Sequence, residues 1–571
     1  MSKSNRLKIA LSLFLDLLII ALIGVWLVGG VPWNDKILLK YGADSRRTAL
    51  TLIIIIWLAW PFFRQKSFVL KAINKVKRIL LIRRSRWSVI LLFCLFSMVL
   101  AALQATALRY PMYDVGLFHQ ILWGLANGHG FVSTISKAGN FLSDHSSVSL
   151  VLLTPFYWVF KNSAVILPII HVVLVYLGIS AWVFLAEKAP STSSQTRSTL
   201  AATTTVFALC FDSLWANQRW GFHENAIAFA AYSWSLALIF ADLRWNVTRT
   251  VSIFILLLIA AGAKEVLLLD ISVAFIALSL VLAKIYSGRS RIFSTALTAT
   301  TTIVLILLFI GFESLPHPAD KNYFERYYSY LGSGLGELLE VILVSPGKVI
   351  EAIGAVELLK YFYTVFVPWL GLPLLWFYWA VKNRGIEKRA ALTYLLIFAS
   401  IFPSFLSAAL STYSPLRQDG FHYVLELWPA LAVLTIIAIS KLKYAHPIAW
   451  SWALLSLLLL GQDPFAQIRE YGNQTSETSE VRSIFQSIPK NMSVAAHEMT
   501  GVMLAGRPLI TKWPNTDFHL NSCPDLVVLP AHENIGKQNT RCKHSLIWSK
   551  GGWNGYLSNS FRRVRSAQKG P

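Results

Sequence analysis

Residues 51–106 read TLIIIIWLAWPFFRQKSFVLKAINKVKRILLIRRSRWSVILLFCLFSMVLAALQAT, and this stretch decides the class of fold. Two apolar runs, about 48–62 and 88–108, flank Arg64, Lys66, Lys71, Lys75, Lys77, Arg78, Arg83, Arg84 and Arg86, with no acid among them. Basic residues this close to apolar spans mark a cytoplasmic loop. Attraction to an anionic lipid or partner is the other reading of such a cluster.

The rest of the chain repeats this alternation. Further apolar segments run about 8–30, 163–186, 199–216, 225–243, 250–262, 267–285, 293–311, 360–382, 390–410, 423–441 and 447–462, thirteen in all. With the N-terminus inside, the loops holding Lys188 and Arg197, Arg244 and Arg249, Lys284, Arg289 and Arg291, Lys382 to Arg389, and Lys441 and Lys443 all fall on the inner face. The parity puts the C-terminus outside. Segment 148–160 is too short to span and reads as a re-entrant or interfacial helix. The first segment lacks a small-residue cleavage site, so it reads as a span rather than a removed leader.

Composition agrees with this class. Hydrophobic residues make up 55% of the 571 and charged ones 14%, against about 25% charged in a soluble domain. Mean hydropathy is +0.53. The net charge of +23 sits between apolar segments and is explained by loop asymmetry, not by nucleic acid. Walker, dinucleotide-binding and nucleophile-elbow signatures are missing from the sequence, which argues against nucleotide-driven chemistry in a soluble domain. The expected organisation is an N-terminal transmembrane hairpin (1–63), a basic cytoplasmic loop (64–87), a helical membrane domain (88–462) with an outer loop at 109–162, and a small extracytoplasmic α/β domain (463–571). In that tail, β-like runs at 492–496 and 525–529 follow a helix-like stretch at 477–487, and Cys523 and Cys542 can pair in an oxidising compartment.

Unusual polar residues gather on the outer face, beside helix ends. The 109–162 loop holds Tyr113-Asp114-Val115-Gly116, then a helical pattern carrying His119 and Gln120 that suits the membrane surface, then Asp144-His145. Later outer loops hold His223-Glu224, Lys264-Glu265, Arg417 and His422-Tyr423. Asp114 reads either as a helix N-cap or as a carboxylate facing a lipid-borne substrate. Lys264-Glu265 interrupts a long apolar run, where ionisable groups are costly and usually paired or functional. Metal-ligand types are present, but none of the usual ligand spacings is.

Tyr113 to Gly116 with Gln120, Asp144-His145, Phe222-His223, Lys264-Glu265 and His422-Tyr423 resemble the successive motifs of a prokaryotic membrane-protein family known only as a domain of unknown function. His119 and Gly221 stand where that pattern has acids, which leaves a two-acid metal site one carboxylate short. The layout is similar to the GT-C superfamily of membrane glycosyltransferases. That resemblance implies an all-α polytopic inner-membrane enzyme. It would move a sugar from a polyprenyl-phosphate-linked donor to an acceptor on the extracytoplasmic face, with Asp114 as catalytic base. Tyr113, Gln120, Asp144, His145, His223, Glu224, Lys264, Glu265, Arg417 and His422 would bind substrate, with Lys264 and Arg417 as phosphate clamps. A divalent metal cofactor is left open, and nucleic acid is not an expected partner. A transporter or flippase for a lipid-linked or anionic substrate is the alternative, and a scaffold presenting the tail domain is a third.

Overall fold

The computed structural model describes residues 32–33, 36–37, 75–76, 78–136, 139–143, 145–160, 163–190, 193–218, 220–313, 327–332, 337, 340–341, 344–369, 371–373, 388–417, 422–442, 448–450, 452–453, 464–513, 523–533, 535, 544–550 and 552–558. Expected spans 8–30 and 48–62, and most of 447–462 and of the second half of 360–382, lie outside these residues.

The chain is mostly helical. In order, the main helices are α1 (Arg83–Thr106), α2 (Leu117–Ala126), α3 (Thr154–Val159), α4 (Ile166–Glu187), α5 (Ser194–Cys210), α6 (Asn225–Phe240), α7 (Val247–Ala261), α8 (Glu265–Ile285), α9 (Gly288–Glu313), α10 (Lys388–Ala399), α11 (Phe402–Leu410), α12 (Trp428–Lys441), α13 (Pro464–Ser487) and α14 (Glu498–Leu504). Among the described residues, five helices are long and apolar enough to cross a membrane: Arg83–Thr106, Ile166–Glu187, Glu265–Ile285, Gly288–Phe312 and Ala391–Leu410. Shorter apolar helices cover Val148–Val159, Asn225–Phe240, Val247–Ala261 and Trp428–Lys441. Helices suit these runs because lipid offers no partner to an open backbone group.

Helix α1 starts at Arg83, earlier than its apolar run. Arg83 and Arg86 stay helical because both reach Glu187 at the end of α4, at 2.9 and 2.7 Å. Arg86 also donates to the carbonyls of Leu80 and Leu81. Arg249 plays a similar part, donating to the carbonyls of Leu238, Ala241 and Leu243 at the end of α6 while stacking on Trp245. Basic residues at this end of the bundle thus satisfy carbonyls that a helix leaves orphaned. The expected span 199–216 breaks at Phe211, whose extended backbone separates α5 from the short helix Asp212–Gln218.

The long helix Ala391–Leu410 is interrupted between α10 and α11. Asp270, buried on α8, caps the second piece by accepting from Ser404 N at 3.1 Å and from Ser404 Oγ at 2.5 Å. Segment 148–160 forms a 3-10 turn (Val148–Leu153) running into α3, too short to span. It is pinned to the bundle by Ser149, whose amide donates to Gly262 O and whose hydroxyl donates to Ile259 O.

The tail forms the expected small α/β unit. Beyond the two-residue strands β1 (Pro32–Trp33) and β2 (Lys36–Ile37), it contributes β3 (Val494–Ala496), β4 (Ile510–Lys512), β5 (Leu526–Pro530), β6 (His544–Lys550) and β7 (Trp553–Ser558). The strand order is β4-β3-β5-β7-β6. β3 runs parallel to β4 on one side and β5 on the other, with Val494 opposite both Ile510 and Leu526. Burial of β3 and β5 on both faces explains their unbroken apolar runs. β4 and the β6–β7 hairpin have mixed composition and escape a reading by periodicity. The apolar core of this unit includes Leu108 and Met112 from the membrane domain, so the tail is docked on the chain that leads to Asp114.

Candidate functional site

The chain leaving α1 passes Pro111 into a single wide turn, Met112–Gly116, that runs on into α2. Asp114 lies inside this turn and not at its cap position, and neither cap residue there makes a side-chain hydrogen bond. Its carboxylate turns instead to His223, with Oδ1 3.2 Å from Nε2. The other ring nitrogen of His223 lies 3.6 Å from Glu224 Oε2. Phe118 packs edge-on against the imidazole. Burial pushes the His223 imidazole down, but its hydrogen bonds to Asp114 and Glu224, and their charges, outweigh that and raise it overall.

The loop before α6 can come this close because residue 221 is glycine. Gly221 has φ +85°, and a Cβ there would sit 2.1 Å from Val115 Cγ2 and 2.9 Å from the Tyr110 ring. An acid at this position, as in the family pattern, would not fit the observed packing.

Two further ion pairs adjoin. Lys264, extended at the N-cap of α8, places Nζ 3.4 Å from Glu426 Oε1 and 4.4 Å from the Tyr423 ring centre. Asn225 donates to the same Glu426 oxygen at 2.7 Å. Burial works against the Lys264 charge, but Glu426, Tyr423, Glu265 and Glu224 hold its ammonium well above the usual lysine range. Glu265 turns away from its neighbour and meets His145 Nδ1 at 3.2 Å. Lys264 and Glu265 thus each have a partner from a different loop, in keeping with the expectation that ionisable groups here are paired. Glu224 also feels the charges of Lys264 and His145. Asp114, His145, His223, Glu224, Lys264 and Glu265 thus form one electrostatic cluster.

Other expected site residues lie elsewhere. Gln120 is buried in a structural network. Its amide nitrogen donates to Thr134 Oγ1 and to the carbonyl of Arg507, and its oxygen accepts from Ser133 Oγ and Thr134 N. His119 shares a hydrogen bond with Tyr157, and burial lowers it to about 3, so it stays neutral beneath Gly506. Helix α2, expected to lie on a membrane surface, is therefore buried between α3 and the tail domain. Arg417 is buried, donates to the carbonyl of Ser411 and feels Glu357, Tyr330 and Tyr361. Tyr113 is 37% exposed beneath Lys512. His422 opens the 3-10 turn His422–Glu426.

Asp144 and Cys542 lie outside the described residues, and Cys523 is disulfide-bonded. No cluster of three or more His, Cys, Asp or Glu able to hold a metal occurs among the described residues. Sequence reasoning missed Glu426, Asn225 and Asp270. Glu426 and Asp270 are acids in apolar surroundings, and the rule that singles out Lys264-Glu265 applies equally to them.

Chemically, the Asp114–His223–Glu224 chain can hold a carboxylate oriented at the edge of the bundle, with the Lys264 ammonium nearby. The solved structure of ArnT from Cupriavidus metallidurans bound to undecaprenyl phosphate is similar at 14% identity, over 82% of this chain and 97% of that one, with a TM-score of 0.49. No curated protein matches. The family model described as "Predicted membrane protein (DUF2079)" matches residues 99–553, most of the chain, and the protein therefore belongs to that family.

Proposed function

We propose that this protein is a membrane glycosyltransferase that moves a sugar from a polyprenyl-phosphate-linked donor to an acceptor hydroxyl on the extracytoplasmic face. The observation that carries the reading is the Asp114–His223–Glu224 chain, set beside His145 and Lys264 where α1 gives way to the outer loop. The acceptor hydroxyl loses its proton as its oxygen attacks the anomeric carbon, and Asp114 is placed to accept it. His223 fixes that carboxylate by one hydrogen bond. The sugar–phosphate bond breaks, and the leaving phosphate carries off the electron pair with its charge. Lys264 supplies positive potential on that side, while Arg417 remains a candidate for the lipid phosphate. The parity of basic loops supports a cytoplasmic N-terminus and an outer tail. The test is incubation of the purified protein with radiolabelled polyprenyl-phosphate sugars and membrane acceptors. Label should move to an acceptor with wild-type protein and not with Asp114→Asn.

One observation favours a transporter instead. Asp270 caps a broken helix inside an apolar span, an arrangement used at transport sites. Label crossing sealed vesicles without a change of chemical form would decide for that reading.

A further inference from the structure

The tail sheet has an edge that the chemistry above does not use. β3 is the central strand of three parallel ones, with its two parallel neighbours on opposite sides. Chain connections leaving such a strand diverge, and ligands of open α/β sheets bind outside the carboxyl ends of the strands at that switch point. Here the ends are Ala496, Lys512 and Pro530, followed by His497 and Glu533.

The side chains at this edge are paired but only partly covered. Lys512 Nζ lies 2.8 Å from Glu498 Oε2, and their side chains are 26% and 34% exposed. His497 Nδ1 accepts from Met499 N, which directs Nε2 toward Glu533 Oε1 at 3.8 Å. Trp553 packs beside the His497 ring, at 5.6 Å between centroids.

This edge also touches the turn that carries Asp114. The Lys512 ammonium sits over the Tyr113 ring, 4.8 Å from its centre, and Tyr113 is the residue before Asp114. The fit is tight behind it: Met112 packs on Gly501, where a Cβ would meet Sδ at 2.3 Å.

We infer that this edge, with His497, Glu498, Lys512, Glu533, Trp553 and Tyr113 gathered at the strand ends, binds the sugar-bearing head of the acceptor. Sugar hydroxyls donate and accept at once. Two carboxylates facing an ammonium and an imidazole N–H match that need with little net charge, whereas a phosphate would meet the carboxylates unfavourably. Lys512 carries three donors on one ammonium, of which Glu498 can take one. The aromatic rings supply flat apolar walls. The assignment rests on the transferase reading for the ligand's role, but binding requires no turnover.

The test is ligand-observed saturation-transfer NMR on the full-length protein in nanodiscs, with N,N′-diacetylchitobiose as probe. Wild type should give a saturable response. Lys512→Ala and Glu533→Gln should each weaken it by about tenfold, the scale of one charge-assisted hydrogen bond. Lys512→Arg should restore it, because a guanidinium can also stack on Tyr113 and pair with Glu498. Unchanged thermal unfolding would show that the variants are folded. A flat wild-type titration, or equal binding by Lys512→Ala, overturns the inference. Saturable binding with no transfer activity would remove the transferase reading and leave the sugar site standing.

Discussion

Replacing Asp114 by Asn separates a structural from a chemical role, because the amide keeps the shape and loses the proton acceptor. In the native site Asp114 Oδ1 accepts from His223 Nε2 at 3.2 Å, with the carboxylate 23% exposed. A hydrogen bond involving a charged group is worth about 1.5–3 kcal/mol, and a neutral one about 1. Asn can still accept from the same N–H, so the folding cost is the difference, about 0.5–2 kcal/mol, reduced further by partial exposure. Against a total of about 5–15 kcal/mol the protein stays folded. Loss of a general base lowers the rate roughly 10²- to 10⁴-fold, or about 3–5 kcal/mol of barrier. The two effects are separable in one preparation. Membrane abundance and detergent-phase thermal unfolding should stay near wild type, while sugar transfer from a polyprenyl-phosphate donor collapses. Near-normal transfer by Asp114→Asn would refute the reasoning and move the search for the base to His145 and Glu224.

Other expectations follow from the same geometry. Lys264→Met leaves Glu426 buried without its ion-pair partner and should destabilise by about 3–5 kcal/mol, with much of the loss recovered in the Lys264→Met/Glu426→Gln double variant; thermal unfolding of both reads this. Gly221→Ala forces a Cβ into Val115 at positive φ and should cost roughly 2–5 kcal/mol, visible as reduced membrane abundance. His223 is raised above its ordinary value of 6.5, so its contribution to stability is fully present below that pH and fades as pH rises through the higher folded value; the gap in melting temperature between wild type and His223→Gln should shrink as pH rises above 6.5. A C-terminal reporter that is active only in the cytoplasm should stay silent, and a bright one would reverse the proposed orientation.

Much of the membrane part was legible because apolar runs and basic loops are local signals. The spans beginning near 88, 163, 267 and 293 are found within a few residues. Their starts slip where charged residues such as Arg83 and Arg86 remain helical through long-range pairing. Asp114, His145, His223 and Lys264 could be gathered by loop parity alone, yet their partners could not. The pairing of Lys264 with Glu426 crosses the fold, as does that of Glu265 with His145. Helix α2 shows the same limit from the other side. Its pattern suits a membrane surface and Gln120 is expected to meet substrate, but Gln120 is covered by the backbone at Arg507, 387 residues along the chain. No periodicity within ten residues reports such a cover.

That distance bears on how the protein is made. Thr134 donates to Ile510 O at 2.6 Å and accepts from Ile510 N at 3.0 Å, and with Gln120 it ties the first outer loop to the tail sheet. These partners are 376 positions apart. At synthesis rates of about 5–20 residues per second, the loop must wait roughly 20–75 s for the strand that completes it. During that interval Thr134 and Gln120 lack their tail contacts, and the turn bearing Asp114 lacks the surface on which Met112 packs. The surroundings of Asp114 are thus completed only after the tail strands have been made, so a chain cut short before Ile510 would lack the contacts that hold this turn in place.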